Sequence, residues 1–307
     1  MYNDKISTTN RKGGLNMHFT GTIWRPPFES ASALLQITSG CTHNKCKFCS
    51  LYDVPFRLSP IEEIESDLKE LRVFHHFAKR VFMTGANPMV LSFEKLKMLL
   101  MKIKSYLPHV KTIGGFARIT DIKTKSLEEL RELHQLGLDG ISIGTETGYD
   151  EVLRYMRKGN TARDTIEQCQ KLEQAEISYN IVYMNGLAGA GKGEINALES
   201  AKVYNRLKPN SINIVALTIF PESDLYQEIK SGTYEASSEL EKLHELYTFI
   251  EHLTTSTIIY ANTISNLAPF VGELPKDREK ILNMLQKTME HTDEGLLEHY
   301  RNSIRHL

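Results

Sequence analysis

Residues 33–52 read ALLQITSGCTHNKCKFCSLY. The opening ALLQIT (33–38) is short, mostly apolar and β-branched, as expected of a strand buried on both faces. Three cysteines, Cys41, Cys46 and Cys49, follow directly. The only other cysteine is Cys169, far along the chain. A centre needing four protein thiolates has to recruit that distant residue, whereas a [4Fe-4S] cubane held by three thiolates keeps one iron open to an outside ligand. Zinc is the rival reading, because His43 lies inside the loop and a Cys3His set is tetrahedral. Zinc ribbons, however, use two separated Cys-x2-Cys knuckles, and here there is one. Three clustered cysteines also pair badly as disulfides, and nothing at the N-terminus has the pattern of a secretory signal.

A chain of 307 residues can bury a core large enough for one α/β domain or two smaller ones. Hydrophobic residues at 41% and charged residues at 24% are ordinary for a soluble globular protein. No apolar run approaches the roughly 20 residues that span a bilayer, so no membrane association is expected. The formal net charge of -1 gives no global attraction for nucleic acid. Low cysteine use without a signal sequence points to the cytoplasm. Residues 1–22 open with a polar stretch containing Gly13-Gly14 and are expected to form a flexible leader.

Beyond ALLQIT, further short apolar runs alternate with segments of helical period. RVFMT (80–84), KTIGGF (111–116), LDGISIG (138–144), ISYNIVYM (177–184) and SINIVALTI (211–219) read as strands, with helices over 60–77, 92–106, 126–136, 161–175 and 193–207. Ser59-Pro60-Ile61-Glu62 and Ser126-Leu127-Glu128-Glu129 carry N-terminal helix signals, and Ile61, Ile64, Leu68 and Leu71 form one apolar stripe. Six βα units with right-handed crossovers give either a doubly wound sheet or a barrel two units short of eight. Residues 223–307 carry mainly helical periodicity around an irregular TISNLAPFVGELP segment and read as a helical extension.

In parallel α/β proteins, ligands sit beyond the carboxyl ends of the strands. Gly85-Ala86-Asn87-Pro88 follows the second strand, Arg118 the third, and Gly144-Thr145-Glu146-Thr147-Gly148 the fourth; Arg157-Lys158-Gly159 comes shortly after. The segment from Gly186 to Lys192 nearly completes a phosphate-binding Gly-x4-Gly-Lys-Ser/Thr loop, but Gly193 stands where the magnesium-binding hydroxyl belongs.

The cysteine run resembles the cluster loop of the radical S-adenosylmethionine (SAM) superfamily, Cys-x3-Cys-x2-Cys with an aromatic residue before the last cysteine, here Phe48. It departs by one residue, with four between Cys41 and Cys46, an insertion that can bulge outward without moving the thiolates. The likeness is to the core shared by Elp3, MiaB and coproporphyrinogen dehydrogenase. It implies a partial (β/α)6 TIM-like barrel over residues 23–222, with the cluster loop after the first strand and the C-terminal helical extension over 223–307.

The resemblance further implies a [4Fe-4S] cluster on Cys41, Cys46 and Cys49, and SAM chelating the open iron. Phe48 is then placed near adenine, and Gly85, Ala86, Asn87 and Pro88 around the SAM amino group, with Asn87 in place of the usual acid. Glu146 approaches the ribose or methionine, and Arg157 or Lys158 the carboxylate, Arg157 preferred for its planar fork. Arg118 is a candidate for the polar pocket wall. Where relatives hold the ribose with an acid in the fifth strand, this chain has Val182, leaving Glu146 or Asn180 to compensate.

The implied reaction is reductive cleavage of SAM to methionine and a 5'-deoxyadenosyl radical that abstracts hydrogen from a substrate, with an external electron donor of flavodoxin or ferredoxin type. Too few cysteines for a second cluster, no cobalamin-binding domain and no appended RNA-binding β-barrel favour a small metabolite as substrate; RNA or a peptide is the alternative. Two readings outside the family are a phosphate-loop nucleotide hydrolase dependent on Lys192 and a zinc-stabilised binding protein.

Overall fold

The computed structural model describes residues 2–3, 16–52 and 54–304, so much of the leader expected over residues 1–22 lies outside the described residues. All six expected strands form: β1 (Ala33–Gln36), β2 (Arg80–Thr84), β3 (Thr112–Ala117), β4 (Ile141–Glu146), β5 (Tyr179–Asn185) and β6 (Ser211–Ala216). They lie in chain order in one sheet, with parallel pairing of β1 to β2, β2 to β3, β3 to β4 and β5 to β6. Between them run α1 (Ile61–Phe74), α2 (Phe93–Tyr106), α3 (Ile119–Lys123), α4 (Leu127–Gln135), α5 (Asp150–Tyr155), α6 (Ala162–Gln174) and α7 (Gly193–Tyr204). This is the α/β architecture of a partial TIM-like barrel. It is not closed, since β1 stands at one end of the strand order.

The stretch after residue 222 contains α8 (Asp224–Lys230), α9 (Glu239–His252), α10 (Arg278–His291) and α11 (Glu294–Ser303), but it is not helical throughout. Two strands extend the sheet: β7 (Thr257–Tyr260), parallel to β6, and β8 (Val271–Leu274), antiparallel to β7. Both have only four residues, and β8 alternates between exposed and buried positions. Such short, half-wet strands leave little periodic signal, which is why this segment reads as irregular from sequence.

The chain divides into two compact units, the first Met1–Asn44, Leu51–Ile143 and Lys171–Tyr179, the second Lys45–Ser50, Gly144–Gln170 and Asn180–Leu307. In the first unit Leu35, Val81, Phe82, Met83 and Ile113 have no exposed surface. Burying each such side chain contributes about 1.5–3 kcal/mol. The amino end of β2 is fixed by Arg80, whose guanidinium holds Glu29 and also donates to the carbonyls of Asp139 and Gly140. Gly114 in β3 makes this possible, because a Cβ there lies 2.2 Å from Arg80 Nη2.

One helix start differs from expectation. Ser126 caps α4 through reciprocal bonds with Glu129, as its sequence signal predicts. Ser59 does not cap α1: its hydroxyl donates to the Gln36 carbonyl and its N–H to Ile37, so it ties the chain to β1, and Pro60 takes the cap position without a side-chain bond. On the stripe of α1, Ile64, Leu68 and Leu71 are buried, while Ile61 is 36% exposed. In the second unit the core is aromatic: Tyr183 of β5 stacks on Phe249 of α9 at 4.2 Å between centroids, with Tyr204 of α7 edge-on.

Candidate functional site

In the first unit the carboxyl end of β2 meets the chain that leads into the cysteine loop. Gly85 has φ +112°, and an added Cβ lies 2.0 Å from the Thr38 carbonyl oxygen, so only glycine allows this approach. Ala86 is half-buried, Asn87 and Pro88 are buried, and Pro88 opens a short 3-10 turn. Asn87 Nδ2 donates to Thr42 Oγ1 at 2.7 Å and to both carboxylate oxygens of Asp121 at 3.3 Å. Its carbonyl faces the Thr42 N–H at 3.4 Å.

Asp121 also accepts the Arg118 N–H at 2.8 Å, and burial raises its pKa above the ordinary carboxylate range despite these donors. Arg118 is half-buried at the start of α3. Nearby, Lys125 Nζ donates to the Met89 carbonyl at 2.7 Å and bridges back to Asp121 O; burial lowers its pKa to about 8. Neither Asp121 nor Lys125 stands out in sequence, because both fall in the connection between the expected strand over 111–116 and the expected helix over 126–136.

The second half of the cysteine loop belongs to the second unit, and Lys47 docks it there. Its N–H donates to Met156 O and its carbonyl accepts from Leu225 N–H. Its ammonium lies 2.7 Å from Glu228 and 3.8 Å above the Tyr155 ring. Burial acts to raise the Glu228 pKa, but hydrogen bonds from Lys47 and Tyr155 prevail and hold it below the ordinary value. Phe48 packs on an apolar cluster of Val152, Met156, Leu187, Leu217, Leu225 and Tyr234.

Cys41, Cys46 and Cys49 are all half-buried and free of disulfides. The extra residue of the loop is accommodated with Asn44 exposed at φ +44°, a left-handed conformation that asparagine tolerates. Three reduced thiols on irregular, partly exposed backbone suit an iron–sulfur cubane, whose ligands are thiolates. Among the described residues, no three His, Cys, Asp or Glu side chains are gathered as for a single metal ion.

Glu146 ends β4 with φ +67°, and Lys158 Nζ lies 2.8 Å from its Oε1, both side chains less than a tenth exposed. Gly144 leaves room for that carboxylate, since a Cβ there lies 2.6 Å from Glu146 Oε1. A non-glycine residue at positive φ costs on the order of 1 kcal/mol, and such strain is concentrated at functional positions. Arg157, at φ +55°, is directed outward: its side chain is 59% exposed and lies 3.5 Å from Asp224. The two neighbouring cations therefore occupy different surroundings, with Lys158 beside Glu146.

The glycine-rich loop after β5 is already filled by the chain's own carboxylates. Gly186 N–H donates to Glu245 at 3.1 Å, Gly191 N–H to Glu241 at 2.8 Å, and exposed Lys192 lies 3.1 Å from Glu151. The amides and ammonium that a phosphate needs are thus spent. Asn180 lies near the amino end of β5 and accepts from Ser211 Oγ, while Val182 is part-buried in mid-strand. At the carboxyl end Asn185 Nδ2 donates to Lys242 O, and its side-chain Oδ1 is buried without a partner among the described residues. It lines a small cavity with Lys242, Asn266 and Arg301, where Arg301 holds Glu239 through two nitrogens.

Residues 35–190, half of the chain, match the family model described as Radical SAM superfamily. The chain belongs to the radical SAM superfamily. Its curated relatives include the heme chaperone HemW of Bacillus subtilis, 22% identical over 235 residues, 74% of this chain and 61% of that protein. Another is the tRNA uridine(34) acetyltransferase of Methanocaldococcus jannaschii, 25% identical over 118 residues, 38% of this chain and 22% of that protein. The chain thus spans less than two thirds of the length of either relative. The radical SAM methyltransferase TsrM from Kitasatospora setae, solved with cobalamin and a [4Fe-4S] cluster bound, has a TM-score of 0.54 at 16% identity, covering 66% of this chain and 37% of that one.

The cofactors of this radical SAM protein are a [4Fe-4S] cluster and SAM. Family membership sets aside the zinc and nucleotide-hydrolase readings, in agreement with the occupied glycine loop. No helix among the described residues is long and apolar enough to cross a membrane.

Proposed function

We propose that this chain is a radical SAM enzyme that abstracts hydrogen from a small metabolite, with Cys41, Cys46 and Cys49 as the cluster ligands. The observation that carries the reading is the trio of half-buried cysteines outside any disulfide, directly after β1, in a chain of this family. When bound, the cluster and SAM supply the one-electron chemistry for that abstraction. The core that binds them is residues 23–222, and residues 223–307 are an extension that adds substrate contacts.

The chain's own side chains bind and orient. Phe48 offers an aromatic face for adenine from its apolar seat. Gly85 brings backbone close to the methionine end, with Ala86 the part-exposed residue of its turn and Asn87 and Pro88 holding that turn's shape. Glu146 accepts from a ribose diol, and Lys158 fixes its carboxylate by an ion pair. Arg118 contributes a polar wall. Arg157, exposed and beside Asp224, and Lys158 are the two candidates for the SAM carboxylate, Arg157 preferred for its planar fork. An external flavodoxin-like or ferredoxin-like protein delivers the electron.

The test is anaerobic iron–sulfur reconstitution, reduction and incubation with SAM. Wild type is expected to form 5'-deoxyadenosine and Cys46→Ala none; equal formation by both proteins rejects the assigned ligands.

A further inference from the structure

We infer that Asp121 is a positioning residue for the cysteine loop, acting through Asn87 on Thr42, the residue that follows Cys41; this rests on the reading of Cys41 as a cluster ligand. The chain of contacts is short and buried: Asp121 is 3% exposed and Asn87 0%. A carboxylate only accepts hydrogen bonds, so it determines which end of the Asn87 carboxamide it faces. With Nδ2 turned toward Asp121 at 3.3 Å, the same amino group reaches Thr42 Oγ1 at 2.7 Å, and the carbonyl is left facing the Thr42 N–H. Both Asn87 donors and its acceptor are thereby committed to one orientation.

Asp121 is itself held by the Arg118 N–H, and Lys125 pins the adjoining turn at Met89. All of these residues lie in the first unit with Cys41. The anchor acts at Thr42, whose hydroxyl and N–H both engage the Asn87 carboxamide. The second half of the loop has a separate anchor, Lys47, bonded to Met156 and Leu225. The two halves should therefore respond independently when one anchor is removed.

Hydrogen–deuterium exchange on the cluster-free full chain tests this without relying on the cofactor. In Asp121→Asn, where the new amide can present a donor to Asn87, exchange over residues 41–44 is expected to accelerate roughly tenfold, as for loss of about one hydrogen bond. Exchange over residues 45–50 and over α9 should stay within twofold of wild type. Thr42→Val removes the exposed hydroxyl that accepts from Asn87 Nδ2 and should reproduce the effect if Asp121→Asn folds poorly. Equal acceleration in both halves shows a merely structural role and overturns the inference, as does unchanged exchange over 41–44. Iron content after reconstitution, measured in parallel on wild type, reports separately on the ligand assignment: wild type without a cubane rejects that assignment and leaves the exchange result to decide the anchor.

Discussion

Glu146 and Lys158 are a buried ion pair, and removing one partner of such a pair leaves an uncompensated charge inside the protein. Glu146→Ala should therefore lower stability by roughly 3–5 kcal/mol, measured by denaturant unfolding of the cluster-free protein. Glu146→Gln keeps the shape and should raise the SAM dissociation constant about tenfold, the scale of one charged hydrogen bond, with iron content unchanged. An unaltered dissociation constant removes Glu146 from the SAM site. Lys192, exposed and paired with Glu151, should be replaceable by alanine with SAM cleavage within twofold of wild type. Loss of cleavage in a folded Lys192→Ala protein gives the glycine loop a role it lacks here. At this scale the three cysteines and Glu146 are legible in sequence, because spacing and strand-end position mark them. Asp121, Lys47 and Asn185 are not legible, since each owes its importance to partners far away in the chain.

One pH response belongs to α9. Burial raises the Glu245 pKa to about 7 against donors from Tyr183, Asn196 and Gly186. A carboxyl raised above its unfolded value stabilises the fold fully below about pH 4.5 and loses that contribution as pH rises through about 7. The shift is worth on the order of 3 kcal/mol. Thermal unfolding of the wild-type protein should thus show a falling midpoint between about pH 5 and pH 8, and Glu245→Gln should flatten that slope; parallel slopes in the two proteins locate the effect elsewhere. Element boundaries follow the same division between local and distant causes. The Ser126 cap is local and reads correctly, whereas the Ser59 hydroxyl is diverted by the Gln36 carbonyl of β1, a partner distant in sequence. Strands β7 and β8 escaped notice because four residues carry too little periodicity.

For the molecule as a whole, the order of six βα units was legible because strands buried on both faces leave continuous apolar runs, and because the cysteine loop follows the first of them. The packing of the stretch beyond residue 222 was not legible, since side chains such as Lys242 and Arg301 reach the ends of β5 and β6 only through folding. The central claim is that three thiolates hold a cubane and leave one iron for SAM. Electron paramagnetic resonance of the reduced, anaerobically reconstituted protein, recorded with and without SAM, tests it most directly. Wild type should carry roughly four irons per chain and a cluster signal that changes when SAM is added, while Cys46→Ala should show no such cluster. A wild-type signal indifferent to SAM, or protein purified without air that holds tetrahedral zinc and accepts no cubane, contradicts the account.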